Sequence, residues 1–412
     1  MAIRRFSTAL LICSAYGAAQ NPPPSLTTIY NFAGAGDGEH PEAPLVIGEG
    51  GVLYGTTWGG GAHGFGTVFS LNPPVSPGGA WTENVLYSFQ LGVDAINPNS
   101  RLVIGTGGVL YGTTSNGGTL GYGTVFSLTP PVSPGGHWTE ALIHNFGATP
   151  NDGEYPTSGL TLGPEGVMYG TTRFGPGLNG TVFEVAPPAS PGAPWTESVI
   201  YSPGNADDTW QPSGDLAVGS GRVLYGTAFA EAGPAAGVFA LVPPVTPGHL
   251  WVETVISGTV GETGVMIGGG GALYGSSQYG GSSNGGMVFL LTPPASPGGA
   301  WASTVLLSFP YQPHSVPYGY YGGPNPGPLT LGEDGTLYGA TGEGGPTNSG
   351  TVYALKPPTT PGGAWTEIVL HTFTGADGAI PTGLTMSSGG VFYGTTDSGG
   401  AYGSGTVFAL KE

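Results

Sequence analysis

Apolar positions along this chain come in short runs that alternate with clusters of glycine and proline. Between residues 45 and 89 four such runs stand out: Leu45-Val46-Ile47, Val52 to Thr57, Thr67-Val68-Phe69-Ser70-Leu71, and Trp81 to Phe89. Val, Ile, Thr, Tyr, Phe and Trp suit a pleated, half-buried strand, so each run predicts one. The separators are the tight Glu49-Gly50-Gly51, a Gly-rich loop before Thr67, and Asn72-Pro73-Pro74-Val75-Ser76-Pro77-Gly78-Gly79. Proline has no N–H for a ladder and glycine takes positive φ readily, so both mark strand ends.

This four-strand pattern recurs. Leu53-Tyr54-Gly55 returns as Leu110-Tyr111-Gly112, Met168-Tyr169-Gly170, Leu224-Tyr225-Gly226, Leu273-Tyr274-Gly275, Leu337-Tyr338-Gly339 and Phe392-Tyr393-Gly394, with the tyrosines 49 to 64 residues apart. Seven copies of four short strands predict an all-β, seven-bladed β-propeller. An open solenoid would need capping repeats instead. The seventh copy stops after its third strand, Thr406 to Leu410, and the missing fourth appears at the other end as Leu26 to Phe32, which matches Val85 to Phe89. The N-terminal strand therefore completes the last blade and leaves no open edge.

If the strands run from the axis outward, one face carries the tight first turns and the Pro-Pro turns at 73, 130, 187, 243, 293 and 357. The opposite face carries the second-to-third and fourth-to-first loops, which vary in length and content. Binding residues tend to sit on variable loops over a rigid scaffold, so that face is the expected functional one.

Composition narrows the function. The 412 residues include 81 Gly and 40 Pro, yet 39% are hydrophobic and 11% aromatic, too apolar for a disordered chain. Seven Lys and Arg stand against 25 Asp and Glu, a formal charge of −18. So few cations exclude a nucleic-acid partner and disfavour acidic polysaccharides. The charged start Arg4-Arg5, the apolar run Phe6 to Ala15 and the small residues Gly17-Ala18-Ala19 predict a secretory signal peptide over 1–19, cleaved near Ala19. Residues 20–412 then form a single domain. The only cysteine of the chain, Cys13, lies in that leader, so no disulfide framework is expected. No further apolar stretch is long enough to span a bilayer. A monomer is expected.

The run Gly51-Val52-Leu53-Tyr54-Gly55-Thr56-Thr57, then Gly59-Gly60 and Gly66-Thr67-Val68-Phe69, resembles the GloVer tandem repeat of choice-of-anchor proteins. The resemblance covers about residues 25 to 412 and implies an extracellular or surface bacterial protein, without an established activity to transfer. Copies four and five depart from it: Thr-Thr becomes Thr227-Ala228 and Ser276-Ser277, while Thr67 becomes Gly237 and Met287. No C-terminal anchor is seen before Glu412, which suggests a released protein.

The variable loops hold unrepeated aromatic side chains, Trp58, Phe65, Tyr122, Phe174 and Tyr279, beside amides and Arg173. The long insert 310–328 adds Tyr311, Tyr318, Tyr320 and Tyr321. Aromatic faces mixed with amides suit a neutral glycan or an extracellular protein partner. The rival expectation is an extracellular polysaccharide lyase, hydrolase or lactonase, whose groups would be His40, His63 and His314 with Arg173 or Arg101. Asp37, Asp94, Asp152, Asp208 and Asp377 recur in the fourth-to-first loops, where they suit turns and, as a ring, offer calcium candidates; no other cofactor is expected. His144 and His371 align with Tyr30, Tyr87 and Tyr201 and read as variants of a scaffold position.

Overall fold

The computed structural model describes residues 23–412 apart from 93, 134, 191, 205–210, 230–236, 247–249, 259–262, 297, 311–325 and 361. The expected signal peptide, Asp208, His314 and the tyrosines 311, 318, 320 and 321 lie outside the described residues.

Seven antiparallel sheets follow one another along the chain, each running first-second-third-fourth strand outward. Blade 1 consists of Val46–Ile47, Leu53–Thr57, Thr67–Asn72 and Thr82–Ser88. In blade 3 the first strand is broken into Glu154–Pro156 and Thr161–Leu162. Blade 7 takes Ala379–Met386, Val391–Ser398 and Thr406–Lys411, and its fourth strand is Ser25–Asn31. Leu26 faces Leu410 and Thr28 faces Phe408, so the two chain ends close the ring by ladder hydrogen bonds.

The repeat motif is explained by side chains that meet across strands. Gly55 faces Phe69 in register, and a Cβ on it would lie 2.6 Å from the ring's Cζ. The phenyl ring thus covers the glycine and fills the space a side chain would take. Every other triplet glycine faces an aromatic in the same way, Tyr353 in blade 6 and Phe in the rest.

The paired threonines divide the work. The second, Thr57, shares a hydrogen bond with Thr67 at 2.8 Å, a pairing repeated by Thr114 with Thr124, Thr172 with Thr181, Thr341 with Thr351 and Thr396 with Thr406. The first reaches the next blade: Thr56 donates to Ser100 O, Thr113 to Ser158 O and Thr395 to Ala43 O. In the two copies that depart from the motif the changes face each other. Ala228 faces Gly237 and Ser277 faces Met287, so each substituted residue stands opposite another.

The cores lie between blades. Phe32 and Val407 of blade 7 pack with Leu53, Phe69 and Leu71 of blade 1, all fully buried. Outside them the triplet tyrosine meets the tryptophan of the following blade edge-on, as in Tyr111 with Trp195 at 5.5 Å. Each fourth strand carries a β-bulge at the same place, as between Val68 and Phe69, which bends the outer edge.

Candidate binding face and channel mouth

The variable face is built on a strained backbone position. His40, Asn97, Tyr155, Gln211 and Ile380 each precede a proline and adopt φ between 54° and 59°. Such a conformation is uncommon for a residue with a side chain and rarest for β-branched Ile380. Each is held by donating its N–H to the second-to-third loop of the preceding blade: His40 to Ser404 O at 3.0 Å, Asn97 to Phe65 O at 3.0 Å, Tyr155 to Tyr122 O at 2.8 Å, Gln211 to Asn179 O at 2.8 Å and Ile380 to Ser349 O at 3.0 Å. The proline and the bond recur while the side chain changes, so a constant frame presents five different groups. Strain of this kind costs on the order of 1–3 kcal/mol per residue and persists because the surrounding bonds hold it.

Aromatic rings collect on these loops. Tyr155 stands edge-on to Tyr122 at 5.5 Å and to Phe174 at 6.0 Å, and Arg173 covers Phe174 at 5.4 Å. In blades 4 and 5 Phe229 stacks on Tyr279 at 6.1 Å. Trp58 is 41% exposed, and its N–H donates to His40 O at 2.9 Å. Phe65 instead packs against the buried cluster around Phe89 and Phe126. Sequence reasoning missed Tyr155 and Phe229. Their signals are positional: Tyr155 precedes a proline as His40 does, and Phe229 follows its second strand as Trp58 does.

The histidines separate. His40 Nδ1 lies 3.0 Å from Asp397 Oδ1 across the 7–1 junction, while His63 is exposed in its own loop. Arg101 is instead at the axis. A cavity of about 200 Å³ is bounded by Pro44, Arg101, Asp215, Gly264, Pro328 and Leu384, from the first-strand regions of six blades. Arg101 Nε approaches Asp215 Oδ2 at 3.5 Å, and Asp215 Oδ1 accepts the Gly159 N–H at 2.8 Å. A Cβ on Gly159 would fall 2.9 Å from that oxygen, so the glycine of blade 3 lets the residues of blades 2 and 4 meet over it. Both side chains are partly exposed and the contact is long, so the pair shapes the channel mouth more than it stabilises the ring.

Each described loop aspartate serves its own blade junction. Asp37 accepts the Tyr30 hydroxyl at 2.7 Å, Asp94 that of Tyr87 at 2.9 Å, and Asp377 lies 2.8 Å from His371 Nε2. Loop N–H groups of Ala33, Gly34, Gln90 and Thr374 donate to the same carboxylates. Hydrogen bonds from Thr374 and His371 hold Asp377 below the usual carboxylate range, although burial alone would raise it. Behind two of these pairs stand Glu83 and Glu140 of the next blade. Burial, then the charge of Asp37 or Asp94, pushes each up to about 7. Burial and the bond to aspartate push the Tyr30 and Tyr87 phenols above their usual range. Asp152 lies beside His144, the remaining histidine variant of the scaffold position.

Ring, blades and strand closure define a seven-bladed β-propeller repeat protein. The chain belongs to the Gloeobacter/Verrucomicrobia repeat family, whose model matches residues 19–238 and 261–412. No curated protein matches it. Among solved structures it is similar to PorZ, an essential bacterial surface component of the type-IX secretion system of Porphyromonas gingivalis (14% identity, TM-score 0.53), covering 92% of this chain and 47% of that one. It thus spans about half the length of PorZ. It is also similar to polysaccharide lyase Uly1 (12% identity, TM-score 0.51, 93% of this chain and 91% of that one). A putative 6-phosphogluconolactonase from Bacteroides uniformis is a third (14% identity, TM-score 0.50, 85% and 88%). At these identities the likeness concerns the fold. Among the described residues no helix is long and apolar enough to cross a membrane.

Proposed function

We propose that this is a secreted, non-enzymatic binding protein whose variable face takes a neutral glycan. The observation that carries the reading is the row Tyr122, Tyr155 and Phe174, whose middle residue sits on a strained backbone held by the Tyr122 carbonyl. Aromatic faces stack on the C–H faces of sugars. Asn97 and Gln211, at equivalent positions in blades 2 and 4 on either side of Tyr155, add amides able to hydrogen-bond hydroxyls, the Asn97 amide already donating to Trp58 O at 2.9 Å. A net charge of −18 works against polyanionic ligands. The test is a glycan and peptide array followed by titration of the hits. Tyr155→Ala and Phe174→Ala each weaken binding of a neutral glycan by about tenfold or more, in line with loss of a central aromatic contact. Retained affinity in both variants overturns the reading, and binding confined to peptides replaces the glycan with a protein partner.

One observation favours a second reading, an extracellular lyase, hydrolase or lactonase. His40 and Asp397 form a dyad at 3.0 Å, and a carboxylate-oriented imidazole is general-base equipment. Two of the similar structures are named as a polysaccharide lyase and a putative lactonase. Turnover of uronate polymers or lactones that disappears in His40→Ala would put this reading first.

A further inference from the structure

The junction of blades 2 and 3 differs from its predecessors in one residue. At the 7–1 and 1–2 junctions the outer strand offers Tyr30 and Tyr87, whose hydroxyls donate to Asp37 and Asp94. At the 2–3 junction the same position is His144. Its Nε2 lies 3.1 Å from Asp152 Oδ2 and 3.9 Å from Glu197 Oε2. One ligand atom from each of the three residues lies within 4.8 Å of the others. A phenol fills such a space with its own proton, whereas an imidazole that carries its proton on Nδ1 presents the Nε2 lone pair to it.

The spacing suits a metal ion. Donors about 2.0–2.2 Å from zinc stand roughly 3–4 Å from one another in a tetrahedral shell. The side chains are secluded: His144 is 18% exposed, Asp152 3% and Glu197 11%. They are also oriented in advance. Asp152 accepts the N–H groups of Gly153 at 2.8 Å and Ala148 at 3.0 Å, and the Phe146 ring stands edge-on to the imidazole at 4.8 Å. Supports of this kind hold ligands in binding geometry. Glu197 Oε1 is buried without a hydrogen-bond partner, as are Glu83 Oε1 and Glu140 Oε1 at the tyrosine junctions. Only at Glu197 does an imidazole stand beside the carboxylate. A cation seated beside the imidazole would compensate both carboxylates at once and reach the Glu197 group left without a partner.

The chain contains its own control. His371 and Asp377 repeat the first two groups at the 6–7 junction. There the third position is Leu26, which faces Leu410 as Glu197 faces Val185. A His-Asp pair therefore recurs without the glutamate.

We infer that His144, Asp152 and Glu197 form a zinc site that ties the outer strands of blades 2 and 3, with water in the fourth position. Among the described residues this is the one His/Asp/Glu group with such spacing. The zinc-binding reading is independent of the glycan reading, because it concerns the outer blade edge.

The test is isothermal titration of the metal-stripped full chain with Zn²⁺, paired with thermal melts. His144→Tyr reproduces the arrangement that Tyr87 makes one junction earlier, so it folds while removing the nitrogen ligand. Wild type binds one equivalent of Zn²⁺ and melts higher with it; His144→Tyr loses that equivalent, weakening binding by about a hundredfold, and Glu197→Gln weakens it by about tenfold or more. Tyr87→His, which places an imidazole beside Asp94 and Glu140, gains a second equivalent. No binding by wild type, or binding unchanged in His144→Tyr, overturns the proposal.

Discussion

Tyr338 donates its hydroxyl to Glu412 Oε2 at 2.6 Å, whereas the other six triplet tyrosines stand edge-on to a tryptophan of the next blade. The difference follows from ring closure. The blade after Tyr338 takes its fourth strand from the N-terminal segment, where Pro24 occupies the position of Trp81. Tyr338 turns instead onto Phe392, at 4.2 Å, and the C-terminal carboxylate side chain.

The seam therefore depends on the strand itself. Deleting residues 25–32 removes the partner of Thr406–Lys411 and uncovers Val407 and Phe408. The expected result is one cooperative transition at a melting temperature lower by roughly 10 °C or more, at about 2–4 °C per kcal/mol for a large domain. An unaltered melting curve would refute the shared seventh blade.

The glycine of each triplet is a packing requirement. Gly112→Ala places a Cβ 2.6 Å from Phe126 Cζ and 2.9 Å from Leu102. Urea unfolding should show a loss of about 1–3 kcal/mol, the usual cost of overpacking. Adding Phe126→Leu should recover part of it. Gly107→Ala meets nothing within 4 Å but sits at φ 71°, so its cost of about 1–2 kcal/mol is backbone strain, and no change at residue 126 relieves it.

The threonine pair is testable by a double-mutant cycle. Thr57 Oγ1 bonds Thr67 Oγ1 at 2.8 Å, accepts the Thr67 N–H at 3.1 Å and donates to Gly59 O at 2.9 Å. Thr57→Val should cost about 1–3 kcal/mol, because buried groups lose their partner. Thr67→Val in the same background should cost less than it does alone, with a coupling of about 0.5–3 kcal/mol. Strict additivity would mean that the facing substitutions at Ala228 and Gly237 have another origin.

Glu83 and Glu140 set a pH dependence. Their folded pKa values, near 7, lie above the ordinary 4.5, so the folded state holds protons that the unfolded chain has released. Their contribution is full below about pH 4.5 and is lost as pH rises through 7. Melting temperatures measured from pH 5 to pH 8 should fall, and Glu83→Gln with Glu140→Gln should lessen the slope, leaving the share of groups such as Glu42, which burial also pushes up to about 7. A slope unchanged by both substitutions would assign it to those other groups.

Much of the fold was legible because its signals are local. Glycine and proline mark strand ends within a few residues, and the triplet counts the blades. The match of Leu26–Phe32 to Val85–Phe89 announced the closed ring. The site was legible only in outline. Tyr122 and Phe174 were named from their loops, but the ring that joins them, Tyr155, comes from a different loop, and only packing brings the two loops together. His144 read as a variant of a tyrosine because alignment compares equivalent positions, while its neighbour Glu197 lies one blade on.

Blade number, the closing strand and which face varies follow from local patterns, since each is written in the order and punctuation of short segments. The tertiary structure alone decided which side chains meet: Tyr111 with Trp195, Arg101 with Asp215 across Gly159, and His144 with Glu197. Those pairs are separated by a blade or more along the chain. Their distances are set by how neighbouring sheets twist and pack around the axis, which no local pattern encodes.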